Sequence, residues 1–202
     1  MEKGIGVRIR RSGGIGSDYN LTLNGMGGNS IRYYVDGIPM AAKGESFSLE
    51  NIPASIVDRV EVYKGVVPAY LGGDALGGAI NIVTNESKKN YYDISYRVGS
   101  FNTHQVDFNA QIIEPKTGLT FKPSVGYNFS KNNYTMKGVR VLNPEKNEFE
   151  TGDFKRFHDD YRSVFAQFET GFTNKLWADF LYVTASFTNV DKDIQTGATQ
   201  DV

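Results

Sequence analysis

The chain has no cysteine in its 202 residues, so neither a disulfide framework nor a thiolate metal site is open to it, and its redox compartment cannot be read from thiols. Histidine occurs twice and tryptophan once. No run of about eighteen apolar residues exists, which excludes a membrane-spanning helix by length. Charge of one sign is also missing: 22 Lys and Arg face 23 Asp and Glu, for a net charge of −1. That balance supplies no basic field for nucleic acid and no acidic excess of the disordered kind. What is abundant is glycine, at 22, with tyrosine at 12 and phenylalanine at 13. Aromatic enrichment suits strands and membrane interfaces. The negative mean hydropathy does not exclude a membrane barrel, because half of each barrel strand faces a polar lumen.

The grammar of the chain changes near Asn85. Residues 1–86 read as a glycine-rich unit with short strands over Gly4 to Arg10, Leu21 to Leu23, Arg32 to Asp36, Val60 to Tyr63 and Ala79 to Thr84. Ser46 to Val57 has a mildly helical pattern, with Ser48 placed as an N-cap, so the expected fold of this unit is mixed α+β. Residues 87–202 keep a regular beat of alternating antiparallel strands. Val106, Phe108, Ala110 and Ile112 oppose Asp107, Asn109 and Gln111; five strands are expected, over Tyr92 to Val98, Thr103 to Ile113, Leu119 to Ser130, Tyr161 to Thr170 and Leu176 to Phe187. Pro123 falls on the apolar side of the third and hints at a bulge. FTNK reads as a tight turn, and residues 131–160 show no clear periodicity beyond a possible short strand at VRVL.

A sheet with one greasy face needs an apolar cover, and nothing after Asn85 supplies one. Short turns alternate with a long connection after the third strand, and aromatics such as Tyr91, Phe101, Phe129, Tyr161, Phe172 and Trp177 gather near strand ends. Both features point to a transmembrane β-barrel covered by lipid. Alternation alone is equally consistent with a soluble sandwich serving adhesion or binding without transport, in which a second sheet covers the apolar face. About seventeen further strands downstream would separate the two, because plugged barrels of this kind have 22 strands.

LTLNGMGGNSIRYYVDGIPM, followed by IPASIVDRVEVYKGVVPAYLGGDALGGAINIVT, resembles the plug domain of TonB-dependent outer-membrane receptors. The family pattern is matched in order at Asp36, Gly37, Ile38, Pro39, Arg59, Glu61, Val62, Gly65, Tyr70, Gly72, Gly77, Gly78, Asn81 and Ile82. The resemblance implies a plug, residues 1–86, inside a 22-stranded barrel whose first strands are residues 87–202. It further implies the outer membrane of a Gram-negative bacterium, a lipid surround, an extracellular nutrient ligand and a TonB-type periplasmic coupling protein. On this reading the chain is a slice of a longer receptor, and its lack of a secretory leader fits removal or truncation. Two departures stand out. Leu23, Asn24, Gly25 replace the family's isoleucine-arginine-glycine, which leaves Arg59 and Glu61 as candidates for ionic contact between plug and wall. Lys64, Gly65, Val66 replace the lysine-aspartate-alanine of the glycan importers, which favours a ferric siderophore, haem or cobalamin.

No catalytic arrangement, cofactor or resident metal is expected. GGDALGG lacks the Gly-Lys-Ser/Thr of a phosphate loop. His158, Asp159 and Asp160 are the one cluster resembling metal ligands, and a solvated polar patch is the preferred reading; His104 reads as an interfacial side chain. Ligand contacts are expected at the plug apices, the turn Met26 to Ser30 and the loop Ala41 to Phe47, through Asn29, Lys43, Glu45 and Phe47. Arg97, Asp107, Asn109, Gln111, Lys122 and Glu169 are expected to satisfy polar groups of the plug.

Overall fold

The fold is described from a computed structural model, which describes residues 6–43, 49, 52–72, 76–85, 89–143, 146–156, 158–176 and 178–193. Ser48, Glu45, Phe47 and Trp177 lie outside the described residues.

The first unit is two small sheets packed together. In one, β1 (Val7–Arg11), β2 (Tyr19–Leu23) and β3 (Met26–Gly27) form a meander. In the other, β4 (Ile31–Val35), β5 (Ile38–Pro39), β6 (Val57–Tyr63) and β7 (Gly78–Thr84) lie in the order β5-β4-β7-β6. β4 and β7 run parallel, Ile31 beside Gly78 through Val35 beside Ile82, and β7 reads as a nearly unbroken apolar run because both of its faces are covered. Leu21, Leu23, Ile31 and Ile80 form one buried cluster; Tyr34, Leu71 and Ala79 form another.

No α-helix forms among the described residues of this unit. Its helical pieces are 3-10 turns at Gly28–Ser30, Met40–Lys43, Ala54–Ile56 and Ala69–Leu71. The described part of the segment expected to be helical holds 3-10 backbone at Leu49 and the turn Ala54–Ile56, and no α-helix. Proline explains the break: Pro53 disfavours helical backbone at Ile52, so a turn can begin at Ala54 but cannot extend backwards.

The second unit is an open antiparallel sheet in the order β14-β13-β10-β9-β8, made of β8 (Tyr91–Gly99), β9 (Thr103–Ile113), β10 (Leu119–Ser130), β13 (Tyr161–Lys175) and β14 (Ala178–Lys192). Between β10 and β13, the hairpin β11 (Thr135–Asn143) and β12 (Glu148–Lys155) forms its own two-stranded sheet. That hairpin occupies the aperiodic connection expected for residues 131–160, and β11 contains the short strand expected at VRVL. Two further expectations need correction. FTNK is not a turn: β13 runs through it, with Thr173 facing Phe180, and the reversal falls between Lys175 and Ala178. Pro123 makes no bulge, because β9 and β10 hold one register on either side of it, Phe121 with Ile112 and Ser124 with Asn109. Proline merely omits one donor and leaves the register intact.

The burial of this sheet is inverted relative to a water-soluble one. Its buried side chains are mostly polar, Asp107, Asn109, Gln111, Thr120, Ser124, Asn128, Ser130, Ser163 and Gln167, joined by Ala110, Tyr161 and Phe165, whereas Ile94, Val106, Phe108, Phe121, Val125, Phe168, Val183 and Phe187 are exposed. The polar face rests on the first unit. Asn109 Nδ2 donates to Ser55 Oγ, and Asn132 Nδ2 donates to the Ile15 carbonyl at 2.9 Å. Among the described residues no second layer covers the apolar face, as a sandwich would require. From Leu119 to Phe129 the outward residues of β10 climb about 33 Å at roughly 3.3 Å per residue; a tilt of about 40° reduces that to about 25 Å, the height of a barrel's apolar band.

Hydrocarbon against this face predicts a depth-dependent response to charge. Val125→Arg, at mid-strand, should lower stability in lipid vesicles by about 2–4 kcal/mol, and Phe129→Arg, near the rim, by about 1 kcal/mol or less. Denaturant titration of the vesicle-embedded protein measures both; equal costs would contradict a bilayer there.

Candidate functional site: the polar network of the plug

The residues singled out by the ordered motif converge at the β4-β7-β6 face. Asp36 ends β4 in left-handed backbone (φ 51°), and its two carboxylate oxygens accept from the Thr84 amide and the Thr84 hydroxyl, both at 2.8 Å. Gly37 follows at φ 77°, a conformation that disfavours a side chain, and its amide donates to Asn81 Oδ1 at 3.1 Å. Asn81 is buried in β7 and turns its other end outward, donating from Nδ2 to Glu61 Oε2 at 3.0 Å. Glu61 Oε2 also accepts from the Tyr63 hydroxyl at 2.8 Å, and Tyr63 shares a 3.0 Å hydrogen bond with Tyr70. Arg59 completes the chain, with its guanidinium 2.9 Å from Glu61 and 3.0 Å from Asp58. One continuous path thus runs from the Asp36–Gly37 turn to Tyr70.

The remaining motif glycines shape this face. At Gly78 (φ 120°) an added Cβ would stand 2.2 Å from the Tyr63 carbonyl, so β6 and β7 approach only because no side chain is there. Gly65 and Gly72 take positive φ after β6 and after the turn Ala69–Leu71; Gly77 donates its amide to the Ser30 carbonyl at 2.7 Å. Pro39 pairs with Tyr34 in the two-residue strand β5.

The predicted ligand contacts are brought partly together. Asn29 lies exposed in the turn Gly28–Ser30, and Lys43 ends the turn Met40–Lys43. A cleft of about 910 Å³ joins the two apices, with Asn29 on one side, Ala41 and Met40 on the other, and Tyr19, Tyr33 and Arg32 in its wall. Burial raises the Tyr33 phenol above its ordinary value. A further contact between the two units was not foreseen. The turn between β1 and β2, residues 12–18, sits against the base of the β11–β12 excursion, where Asn132 bridges the Ile15 and Asp159 carbonyls and an added Cβ at Gly16 would strike the Tyr161 ring. Its signal in the sequence was the density of glycine in SGGIGSD.

The expected roles of the charged residues are redistributed. Arg97 pairs with Asp107 at 2.6 Å, and Lys122 pairs with Glu169 at 3.6 Å, so these charges are matched within the wall and not by the plug. Gln111 Nε2 donates to the Lys89 carbonyl, and of the wall residues expected to serve the plug, Asn109 reaches it through Ser55. Arg59 meets Asp58 and Glu61 on its own strand. Asp159 is buried and held by Arg156 at 2.9 Å, while His158 is exposed; no group of three metal-ligating side chains occurs among the described residues. His104 faces outward at the rim, hydrogen-bonded to Tyr96 at 2.7 Å and Asn102 at 2.8 Å and stacked on Phe129. Sequence reasoning overlooked Thr84 and Tyr63 as network members and gave Asn81 no role. A single amide inside the apolar run AINIV was the available signal.

Hydrogen bonds from Asn81, then from Tyr63 and Arg59, hold the Glu61 carboxyl below its ordinary value of 4.5. A lowered folded pKa adds stability above 4.5 that disappears as pH falls through the folded value. Glu61→Gln should therefore lower stability near neutral pH and flatten its decline on acidification. Unfolding of both forms from about pH 6 to about pH 3 checks this; parallel profiles would contradict the network.

Residues 3–79 match the TonB-dependent Receptor Plug Domain. The chain is 25% identical over 197 residues to a vitamin B12 transporter of Vibrio vulnificus, covering 89% of this chain and 31% of that protein. It is 30% identical over 131 residues to the vitamin B12 transporter of Vibrio cholerae, covering 61% and 21%. In structure it is similar to the copper transporter OprC, with a TM-score of 0.68 at 17% identity, over 94% of this chain and 27% of that one. A ferric enterobactin receptor from Pseudomonas aeruginosa gives a TM-score of 0.65 at 19% identity, over 98% and 30%. The chain thus spans less than a third of the length of these relatives. An ordered plug motif, a sheet of inverted polarity resting on that unit and these likenesses agree in supporting a fragment of a TonB-dependent receptor, with residues 3–79 matching its plug domain.

Proposed function

We propose that the protein acts within an energy-coupled receptor of the Gram-negative outer membrane, importing a scarce nutrient too large for passive pores. Residues 1–86 form its plug, and residues 87–202 begin the barrel that closes around it. The carrying observation is the inverted sheet, which turns its polar face to the plug and its apolar face outward. Such a wall suits lipid on one side and a polar, plugged lumen on the other.

The plug motif residues Asp36, Gly37, Pro39, Arg59, Glu61, Gly65, Tyr70, Gly72, Gly77 and Gly78 keep the closed plug in shape. Asn29 and Lys43, with Glu45 and Phe47 on the same loop, meet the ligand at the apices. The ligand is a ferric siderophore, haem or cobalamin in preference to a glycan. Lys64, Gly65, Val66 support that choice, as do similar proteins described as vitamin B12 transporters and a ferric enterobactin receptor. No covalent chemistry is required. A TonB-type periplasmic protein rearranges the plug, and binding must differ between the closed and opened states for transport to be directional.

Cells carrying or lacking the gene should be offered each labelled nutrient with and without a protonophore. One of the three should accumulate only in cells carrying the gene and only while the proton gradient lasts; gene-independent uptake of all three would overturn the reading. Joint replacement of Asn29 and Lys43 by alanine should weaken binding of that nutrient about tenfold, the worth of roughly one charge-assisted contact, at unchanged receptor level in the membrane. Equilibrium binding to isolated outer membranes measures it, and unchanged affinity would remove these two residues from the site.

A further inference from the structure

Phe165 breaks the rule of the wall it belongs to. Its neighbours on the inward face of β13, Ser163 and Gln167, are polar, yet Phe165 also points inward and is 1% exposed. It enters a plug cluster made by Val35, Met40, Ile52, Ile56 and Ile82. Directly across the ladder stands Gly126, where an added Cβ would lie 3.4 Å from Pro53 Cγ and 3.2 Å from Asp107 Oδ1. Pro53 thus lies over Gly126, at ordinary contact distance from where a Cβ would stand. Asn109 closes the arrangement with its hydrogen bond to Ser55. The ring, Pro53 over Gly126 and the hydrogen bond of Asn109 therefore meet on the plug segment from Ile52 to Ile56, with Val35, Met40 and Ile82 completing the pocket of the ring.

The Phe165 ring differs in kind from the hydrogen-bonded plug–wall contacts, and from Tyr161, the other buried ring of this face, which meets the plug at the Gly16 turn and not in an apolar cluster. Hydrogen bonds across a wet lumen can be exchanged for water at little net cost. An aromatic ring withdrawn from an apolar pocket cannot, because both ring and pocket become wetted. We propose that Phe165 is the latch that holds the plug closed against the wall, and that displacement of the plug begins by extracting this ring from between Val35, Ile52, Ile56 and Ile82. The latch rests on the gated-plug reading above and adds the residue that sets its threshold.

The test is hydrogen exchange on the full receptor in outer-membrane vesicles, read at the plug amides of Ile56, Asp36 and Asn85, which donate to Pro53, Ile82 and Ile56 respectively. Phe165→Ala should speed exchange there by about tenfold or more, as expected for emptying a buried aromatic site, while the amides of β9 and β10 stay protected. Phe165→Leu should restore most of the protection, and Phe168→Ala, on the outward face, should change nothing. Unchanged plug exchange in Phe165→Ala overturns the proposal, as does equal loss across β9 and β10, which would make Phe165 a part of the sheet and not a latch. Nutrient uptake is scored separately: its absence in the unmodified receptor would count against transport, while the exchange contrast would still report the latch.

Discussion

The whole arrangement depends on which solvent each face of one sheet can accept. In water, burying Asn109, Gln111, Ser124, Asn128 and Ser163 while exposing Phe108, Val125 and Phe168 would be the wrong way round, because apolar surface left in water forgoes the main driving force of folding. The inversion becomes favourable only when the outer medium is itself apolar. Once that is granted, the polar inner face needs partners, and the plug supplies some of them. Backbone pairing must then be complete inside the sheet, which explains why β10 and β13 pair without interruption over the full length of β10.

The plug obeys a different constraint. It is small, rich in glycine and built on short strands, so its order comes from three apolar clusters and from the path linking Gly37, Asn81, Glu61 and Tyr63. Asn81 shows the logic: a buried amide in an apolar strand is tolerated because both of its ends are used, one by the Gly37 amide and one by Glu61. Such a network keeps one plug conformation while leaving its strands few in number and its contacts with the wall sparse.

Much of this was legible in the sequence, and the failures have physical causes. β9 and β10 could be bounded to the residue because each has one polar and one apolar face, and alternation marks where that asymmetry starts and stops. β11 was legible only as the short strand VRVL and β12 not at all, because β12 is largely exposed and β11 has no consistently buried face, so no periodic signal is imposed on the hairpin. The extension of β13 through FTNK follows from pairing with β14, which local turn propensity cannot reveal. The motif residues of the plug could be named from their order, but the hydrogen-bond path joining them lies between strands distant in sequence. Phe165 was hidden for a related reason: in a strand where Val164, Ala166 and Phe168 face outward, a phenyl ring set between the polar Ser163 and Gln167 looks like noise until the plug pocket that receives it is seen.

The absence of native cysteine makes the central claim directly measurable. Single cysteines placed along β10 at Ser124, Val125, Gly126, Tyr127 and Asn128 can each carry a spin label in the membrane-embedded protein. Collisional accessibility to oxygen, which concentrates in hydrocarbon, should rise at Val125 and Tyr127 and fall at Ser124, Gly126 and Asn128, with the contrast reversed for a water-soluble nickel complex. Preferential access of the nickel complex to Val125 and Tyr127 would place that face in water and contradict the account.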